Sequence, residues 1–154
     1  MIAMRTQIGG GPAFFRLVRY WSRRWQHTAG DERRIEPQLL HVQLLEAIDA
    51  AAARGAVSVS QVADELGLDR SGASRMISVA VSAGHVERRS AEDDARRAEV
   101  AMTRRGRALL GAARTWQQAA FERMLADWSR ADVQRFSSYL ERLAQQTWPE
   151  GSQQ

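Results

Sequence analysis

The hydrophobic residues of the chain recur at helical spacing along most of its length, with one short alternating stretch in the middle. The first helical pattern predicts a helix over about residues 13–27. A second helix is expected from Pro37, which suits the first turn of a helix, to Gly55, which suits its end. In the last third of the chain, the same spacing predicts a helix over about 104–127 and a final helix over about 130–147.

The middle of the chain predicts two short helices and a β-hairpin. Ser58 and Gln61 have the spacing of a capping box, and Asp69 is placed to cap a second helix after a turn at Gly67. Gly84 ends that second helix. The two strands and the tip between them are expected at residues 85–89, 96–102 and 90–94. This order is that of a winged helix-turn-helix, whose second helix enters the major groove of DNA.

The charge of the chain is concentrated in the same segment. All 22 basic residues are arginines, and residues 70–107 contain nine of them with five acidic residues. The segment therefore has a net charge of +4, which equals the net charge of the whole chain. Positive potential on one part of the surface is what binding to a polyanion requires, although a solvated basic surface would have the same composition.

The second short helix, the predicted recognition helix, has an apolar face and a polar face. Ala73, Met76, Ile77 and Ala80 repeat at the spacing of a buried face. The polar residues left facing outward are Arg70, Ser71, Ser74, Arg75 and Ser78. Arginine can bond guanine O6 and N7 together, and serine can contact bases or phosphates. The alternative is an ordinary surface helix, but the complete helix-turn-helix pattern favours contact with the groove.

Segment 58–107 resembles the core of the MarR family of bacterial transcriptional regulators. The matching residues are the run VADELGLDRS, the pair Ser74–Arg75, the run GHVERR, and the wing pattern Asp94-x-Arg96 followed by Val100-x-Met102-Thr103-x-x-Gly106. The order of the flanking helices extends the resemblance to about residues 12–147. The family often has two arginines directly after the wing acid, whereas Ala95 stands between Asp94 and Arg96 here.

The resemblance implies a mainly α-helical fold with a small β-hairpin wing. The winged helix-turn-helix core would occupy residues 55–103. Dimerisation helices would flank it at 12–54 and 104–147, with flexible ends at 1–11 and 148–154. The wing arginine would be Arg96, oriented by Asp94, with Arg97 as a substitute. The full set of expected DNA contacts is Arg70, Ser71, Ser74, Arg75, Ser78, Arg88, Arg96 and Arg97.

Several residue types limit what else the chain could do. It has no cysteine, and its three histidines lack the spacing of zinc ligands, so neither a metal site nor a cofactor is expected. No phosphate loop or nucleophile motif is present, so no enzyme is expected. No apolar run approaches the roughly 18 residues that a membrane span needs, and the N-terminus lacks the apolar core of a signal peptide. A cytoplasmic protein is the simplest interpretation.

The five tryptophans leave two interpretations open. By resemblance, the helices that carry them surround a cleft where aromatic or phenolic acids bind in the family and release DNA. The corresponding pocket here would be formed by Trp21, Trp25, His41 and Trp116. The alternative is that these rings only pack the core and the dimer interface.

The sequence thus predicts a homodimeric regulator on a pseudo-palindromic operator in double-stranded DNA. A repressor that a small aromatic ligand can release is the favoured form. A regulator without an effector and a winged-helix module that binds proteins instead of DNA are the alternatives. Charge concentrated at 70–107 disfavours the protein-binding module, because the core of a protein interface is depleted of charge.

Overall fold

The computed structural model describes residues 10–24, 35–90 and 98–147. These residues form six helices and one hairpin, in the order α1 (Gly11–Arg24), α2 (Ile35–Ala52), α3 (Val59–Leu66), α4 (Arg70–Ser82), β1 (Val86–Ser90), β2 (Ala98–Met102), α5 (Arg104–Met124) and α6 (Arg130–Thr147). The predicted fold class is confirmed: the chain is mainly helical with one small antiparallel hairpin. The described residues form two compact units, divided after Gly111. The domain boundaries expected after residues 54 and 103 stay predictions.

The core of the first unit is built from α2, α3, α4 and the hairpin. Its largest fully buried side chains are Leu44, Leu45 and Ile48 of α2, Val62 of α3, Ile77 of α4 and Val86 of β1. One apolar face from each element meets the others, which is the packing that the helical spacing predicts. The core therefore fixes α4 and β1, the two elements expected to face DNA, against the same support.

The polar residues at the helix ends act as the sequence predicts. The Ser58 amide donates to Gln61 Oε1 at 2.8 Å, and the Gln61 amide donates to Ser58 Oγ at 3.3 Å, which completes a capping box on α3. Gly67 ends α3 with a φ of 64°, in the left-handed region that favours glycine. Asp69 Oδ1 then accepts the Gly72 amide at 2.5 Å and caps α4. Two short helices are thus joined by a turn of three residues.

The hairpin connects α4 to α5. Val86 pairs with Met102 and Ser90 with Ala98, so the described strands stay in register from end to end. The Val100 amide also donates to the Val57 carbonyl at 2.8 Å, which attaches β2 to the segment before α3. The hairpin is therefore anchored at its base on the helical core.

Candidate nucleic-acid interface

The recognition helix α4 presents a polar face to solvent. Ala73, Ile77 and Ala80 are buried, as expected, and Met76 is half-buried. The opposite face carries Ser71, Arg75, Ser78 and Ser82, all of them exposed. Because these four positions follow the helical spacing of 3 or 4 residues, they form one stripe along α4.

Two expected contacts of α4 are not on this stripe: Ser74, which is half-buried rather than fully exposed, and Arg70 in the first turn. Arg70 is the first residue of the helix and is exposed. Gly72, at the third position, leaves room for the Asp69 cap, because a Cβ there would lie 2.9 Å from Asp69 Oδ1. Arg75 makes no hydrogen bond or ion pair to another residue that the structure describes. Its guanidinium is therefore available to a ligand.

The two arginines of β1 have different partners. Arg88 extends from the strand onto α4, where its Nη2 donates to Ser78 Oγ at 3.1 Å and to Ser74 Oγ and O at 3.4 Å. Arg89 instead forms an ion pair with Glu87, with its Nε donating to the carboxylate at 2.8 Å. Thus Arg88 adds positive charge beside the serine stripe, whereas the charge of Arg89 is balanced within the strand.

The structure brings six of the eight expected DNA contacts to one region: five lie on α4, and Arg88 lies on β1. Arg96 and Arg97, with Asp94 and the rest of the wing tip, lie outside the described residues. Their expected role on the wing stays a prediction.

The residues expected to form a ligand pocket are placed as follows. Trp25 lies outside the described residues. Trp21 belongs to the described backbone of α1, but its side chain is not among the described side chains. Trp116 is half-buried in the second unit. His41 is buried in the first unit, with 6% of its surface exposed, and contacts His85. The structure thus describes the side chains of only His41 and Trp116 from this set.

The contact between His41 and His85 was not predicted, because the two histidines are far apart in the sequence. Their Nδ1 atoms lie 3.0 Å apart and the rings meet edge to face. Burial lowers the pKa of His41. The pKa of His85 is lowered by burial first, and then by the positive charges of His41 and Arg105. The signal that could have indicated the contact is that His41 shares the core face of Leu44 and Leu45, while His85 directly precedes buried Val86.

Within residues 10–24, 35–90 and 98–147, no group of three histidine, cysteine or acidic side chains could hold a metal ion. No helix in these ranges is long and apolar enough to cross a membrane.

Comparison with known proteins agrees with the geometry. Residues 35–97 match the family model of the MarR family. Among curated proteins, none is similar enough in sequence to match. A MarR family transcriptional regulator from Silicibacter pomeroyi has the same fold, with 21% identity, a TM-score of 0.62, and coverage of 88% of this chain and 87% of its own.

Two further solved structures share the fold. FabT of Streptococcus pneumoniae, solved in complex with DNA, is 19% identical with a TM-score of 0.58, and the match covers 87% of this chain and 90% of FabT. Wild-type MarR of E. coli, in its apo form, is 18% identical with a TM-score of 0.62, and the match covers 89% of this chain and 98% of MarR. Members of the MarR family are transcriptional regulators and not enzymes. Residues 35–97 thus resemble the MarR family, and most of the chain has the fold of MarR-family structures.

Proposed function

We propose that the chain is a sequence-specific regulator that binds double-stranded DNA through α4 and the wing. The observation that carries this proposal is the exposed stripe of α4, in which Arg75 stands among serines. Arg75 has no partner among the described residues, and an unpaired arginine on a short helix suits the O6 and N7 atoms of guanine. FabT, which shares the fold, was solved in complex with DNA, and this supports DNA as the ligand.

The regulator acts as a homodimer on a pseudo-palindromic operator. Support comes from α1, where Phe14, Phe15, Leu17 and Val18 each leave 44% or more of their surface exposed. In α6, Tyr139 and Leu143 are exposed to a similar degree. Helices with such apolar faces gain free energy by burying them against another surface, and a second copy of the chain supplies a matching one.

The experiment that tests this function is selection from a random library of DNA duplexes. The library needs roughly 30 randomised base pairs, because two half-sites lie about 10 base pairs apart or a multiple of that. A winged-helix regulator enriches a motif with two-fold symmetry. Enrichment of no sequence, together with weak binding that falls steeply as salt rises, would instead indicate a basic module that does not read DNA.

Repression is the second part of the proposal. A dimer seated on a promoter blocks the polymerase, so the selected motif placed between a promoter and a reporter gene should lower expression when the chain is present. Arg75→Ala is the control, because it removes the proposed base contact from an exposed position. Raised expression would indicate an activator.

Release by an aromatic acid is the third part. Trp116 offers a half-buried indole on which a ring could stack. His41 is less suited to bind a carboxylate, because burial lowers its pKa and keeps the ring neutral near pH 7. Titration with simple phenolic acids, followed by tryptophan fluorescence and by DNA binding, separates the outcomes. Quenching without release indicates a cavity but no switch, and no response to a broad panel indicates a regulator without an effector.

A further inference from the structure

The hydrogen bonds of Ser78 are set by its two neighbours. Its hydroxyl donates to the Ser74 carbonyl, with a distance of 2.9 Å between the oxygens. Arg88 Nη2 donates to the same hydroxyl oxygen over 3.1 Å. A guanidinium has only donors, so Ser78 must be the acceptor toward Arg88, and its single hydrogen is directed to Ser74.

A hydroxyl has one hydrogen and two acceptor sites. The bonds to Ser74 and Arg88 use the hydrogen and one acceptor site, so Ser78 has one acceptor site left for a further partner and no hydrogen left to donate. Ser78 lies on the exposed stripe of α4, three residues after Arg75. The free acceptor site therefore belongs to the face that would enter the major groove. In that groove, the adenine N6 and cytosine N4 amino groups are donors, whereas guanine O6 and N7 and thymine O4 are acceptors.

We propose that Arg88 sets Ser78 to accept a hydrogen bond, so that Ser78 selects adenine or cytosine at one position of each half-site. This inference rests on the proposed DNA-binding function. Guanine or thymine at that position would place two acceptor oxygens against each other. Arg75 and Ser78 thus have opposite polarities: the arginine donates to guanine, and the serine accepts from an amino group.

Arg88 is a positioning residue in this scheme. It acts on DNA through the orientation of the Ser78 hydroxyl, in addition to any charge it adds beside the phosphates. Arg89, the next residue of β1, is bound to Glu87 and makes no hydrogen bond or ion pair with α4 among the described residues. Arg89→Ala therefore removes the same charge from the same strand without changing Ser78, and it is the matched control.

The test is selection from the random duplex library with four proteins: the unaltered chain, Ser78→Ala, Arg88→Ala and Arg89→Ala. Ser78→Ala identifies the base position that Ser78 contacts, because the preference there should be lost. In the unaltered chain we expect a roughly two- to tenfold preference for the base pair that places its adenine or cytosine amino group on the strand facing Ser78, the range that one neutral hydrogen bond gives. Arg88→Ala should lose the same preference, since the hydroxyl is then free to rotate and donate. Arg89→Ala should retain it.

An unchanged motif for Ser78→Ala or an unchanged motif for Arg88→Ala would each overturn the inference and leave the proposed function intact. If the unaltered chain enriches no sequence, the proposed function fails, and the inference fails with it. Circular dichroism checks that Arg88→Ala is folded. If it is not, binding of the unaltered chain to a duplex that lacks the amino group of the selected base pair still decides whether Ser78 is an acceptor.

A second measurement tests the same hydrogen bond without altering Arg88. If the selected base is adenine, replacing it by purine, which lacks the 6-amino group, should weaken binding of the unaltered chain by the factor that Ser78→Ala produces. If the base is cytosine, an analogue without the 4-amino group serves. The combination of altered base and Ser78→Ala should cost no more than either change alone. Independent, multiplying losses would overturn the contact between Ser78 and the amino group.

Discussion

His41 of α2 and His85 at the start of the hairpin lie in contact inside the core, with their Nδ1 atoms 3.0 Å apart. They leave 6% and 8% of their surfaces exposed. A hydrogen bond between two Nδ1 atoms needs a hydrogen on one and a lone pair on the other, so at least one ring must be neutral. The contact therefore exists only while the pair does not take up a second proton.

The stability of the protein should fall as the pH decreases below neutrality. The pKa values of His41 and His85 are lowered from 6.5 by burial, so the unfolded chain binds more protons than the folded one just below that pH. The free energy of unfolding that the pair contributes is fully present above pH 6.5 and is lost as the pH falls through the lower, folded pKa values. Urea unfolding at several pH values between 7 and 5 measures this loss.

The matched variant is His41→Gln with His85→Gln, which keeps polar side chains but removes both titrating groups. Its stability should change less between pH 7 and pH 5 than that of the unaltered chain, whatever its stability at pH 7. Equal pH dependence in the two proteins would show that the carboxylates, and not these histidines, set the response to acid.

The sequence predicted the elements because each has a local cause. The capping box of Ser58 and Gln61 and the cap at Asp69 need only residues three positions apart. The partners of His85 and Arg88 could not be predicted in this way. His41 precedes His85 by 44 residues, and Ser78 precedes Arg88 by 10, so these contacts depend on how α2, α4 and β1 pack in space.

The outward face of α4 was predictable because a helix of known phase has only one face left once Ala73 and Ile77 are buried. What the sequence did not reveal is that Arg88 and Arg89, two adjacent arginines, differ in role. Alternation along a strand sends them to opposite sides, and only the packing of β1 decides which side meets α4. The close approach of the segment before β1 to the first turn of α5 also explains why position 106 is a glycine.

Gly106→Ala should destabilise the protein by about 1–3 kcal/mol, the usual cost of inserting a methyl group into a full space. A Cβ at Gly106 would lie 2.1 Å from the His85 carbonyl oxygen, and this backbone atom also accepts the Thr103 amide, so it cannot move freely. Chemical denaturation measures the loss.

Gly111→Ala, on the same helix, is the control. A Cβ there meets nothing within 4 Å, and alanine is favoured over glycine in a helix by about 1 kcal/mol. This variant should be as stable as the unaltered chain or more stable. A Gly106→Ala protein that matched it would show that the first turn of α5 can shift away from His85 at little cost.

Arg75→Ala should weaken binding to the selected operator by about 1–3 kcal/mol, the range for a bidentate arginine contact with a base. The residue is exposed and lacks a partner among the described residues, so the melting temperature should stay unchanged. Fluorescence anisotropy with the selected duplex and with an unrelated duplex measures both specific and non-specific affinity. If the variant bound its operator as tightly as the parent, Arg75 would not be one of the residues that read bases.

Arg96→Ala tests the wing, whose tip lies outside the described residues. If Arg96 contacts a phosphate, its loss should weaken binding to every duplex and reduce the slope of log affinity against log salt by about 0.9. Arg89→Ala is the control, because its charge is already balanced by Glu87. The same slope for the unaltered chain and for Arg96→Ala would mean that this arginine does not engage the backbone.

The last prediction concerns assembly. The apolar stripe of α1 includes Phe14, Leu17 and Val18, which are 44–51% exposed and recur at helical spacing. If a second copy covers this stripe, light scattering should give the mass of a dimer at micromolar concentration. A glutamate at Leu17 would then be buried without a partner, so Leu17→Glu should weaken the dimer at least tenfold, which corresponds to about 1.4 kcal/mol. It should also weaken operator binding, because a single copy of the chain reaches only one half-site.

Arg16→Glu is the control for charge. Arg16 is exposed and, by helical spacing, lies on the side of α1 away from the centre of this apolar stripe, so a glutamate there should leave the dimer intact. A folded monomer at micromolar concentration for the unaltered chain would contradict the dimer. Equal weakening by both variants would point to the net charge of α1 as the cause. Only a weakening of the dimer that is confined to Leu17→Glu assigns the apolar stripe of α1 to the dimer interface. A dimer of this kind is also what the two-fold symmetry expected in the operator requires.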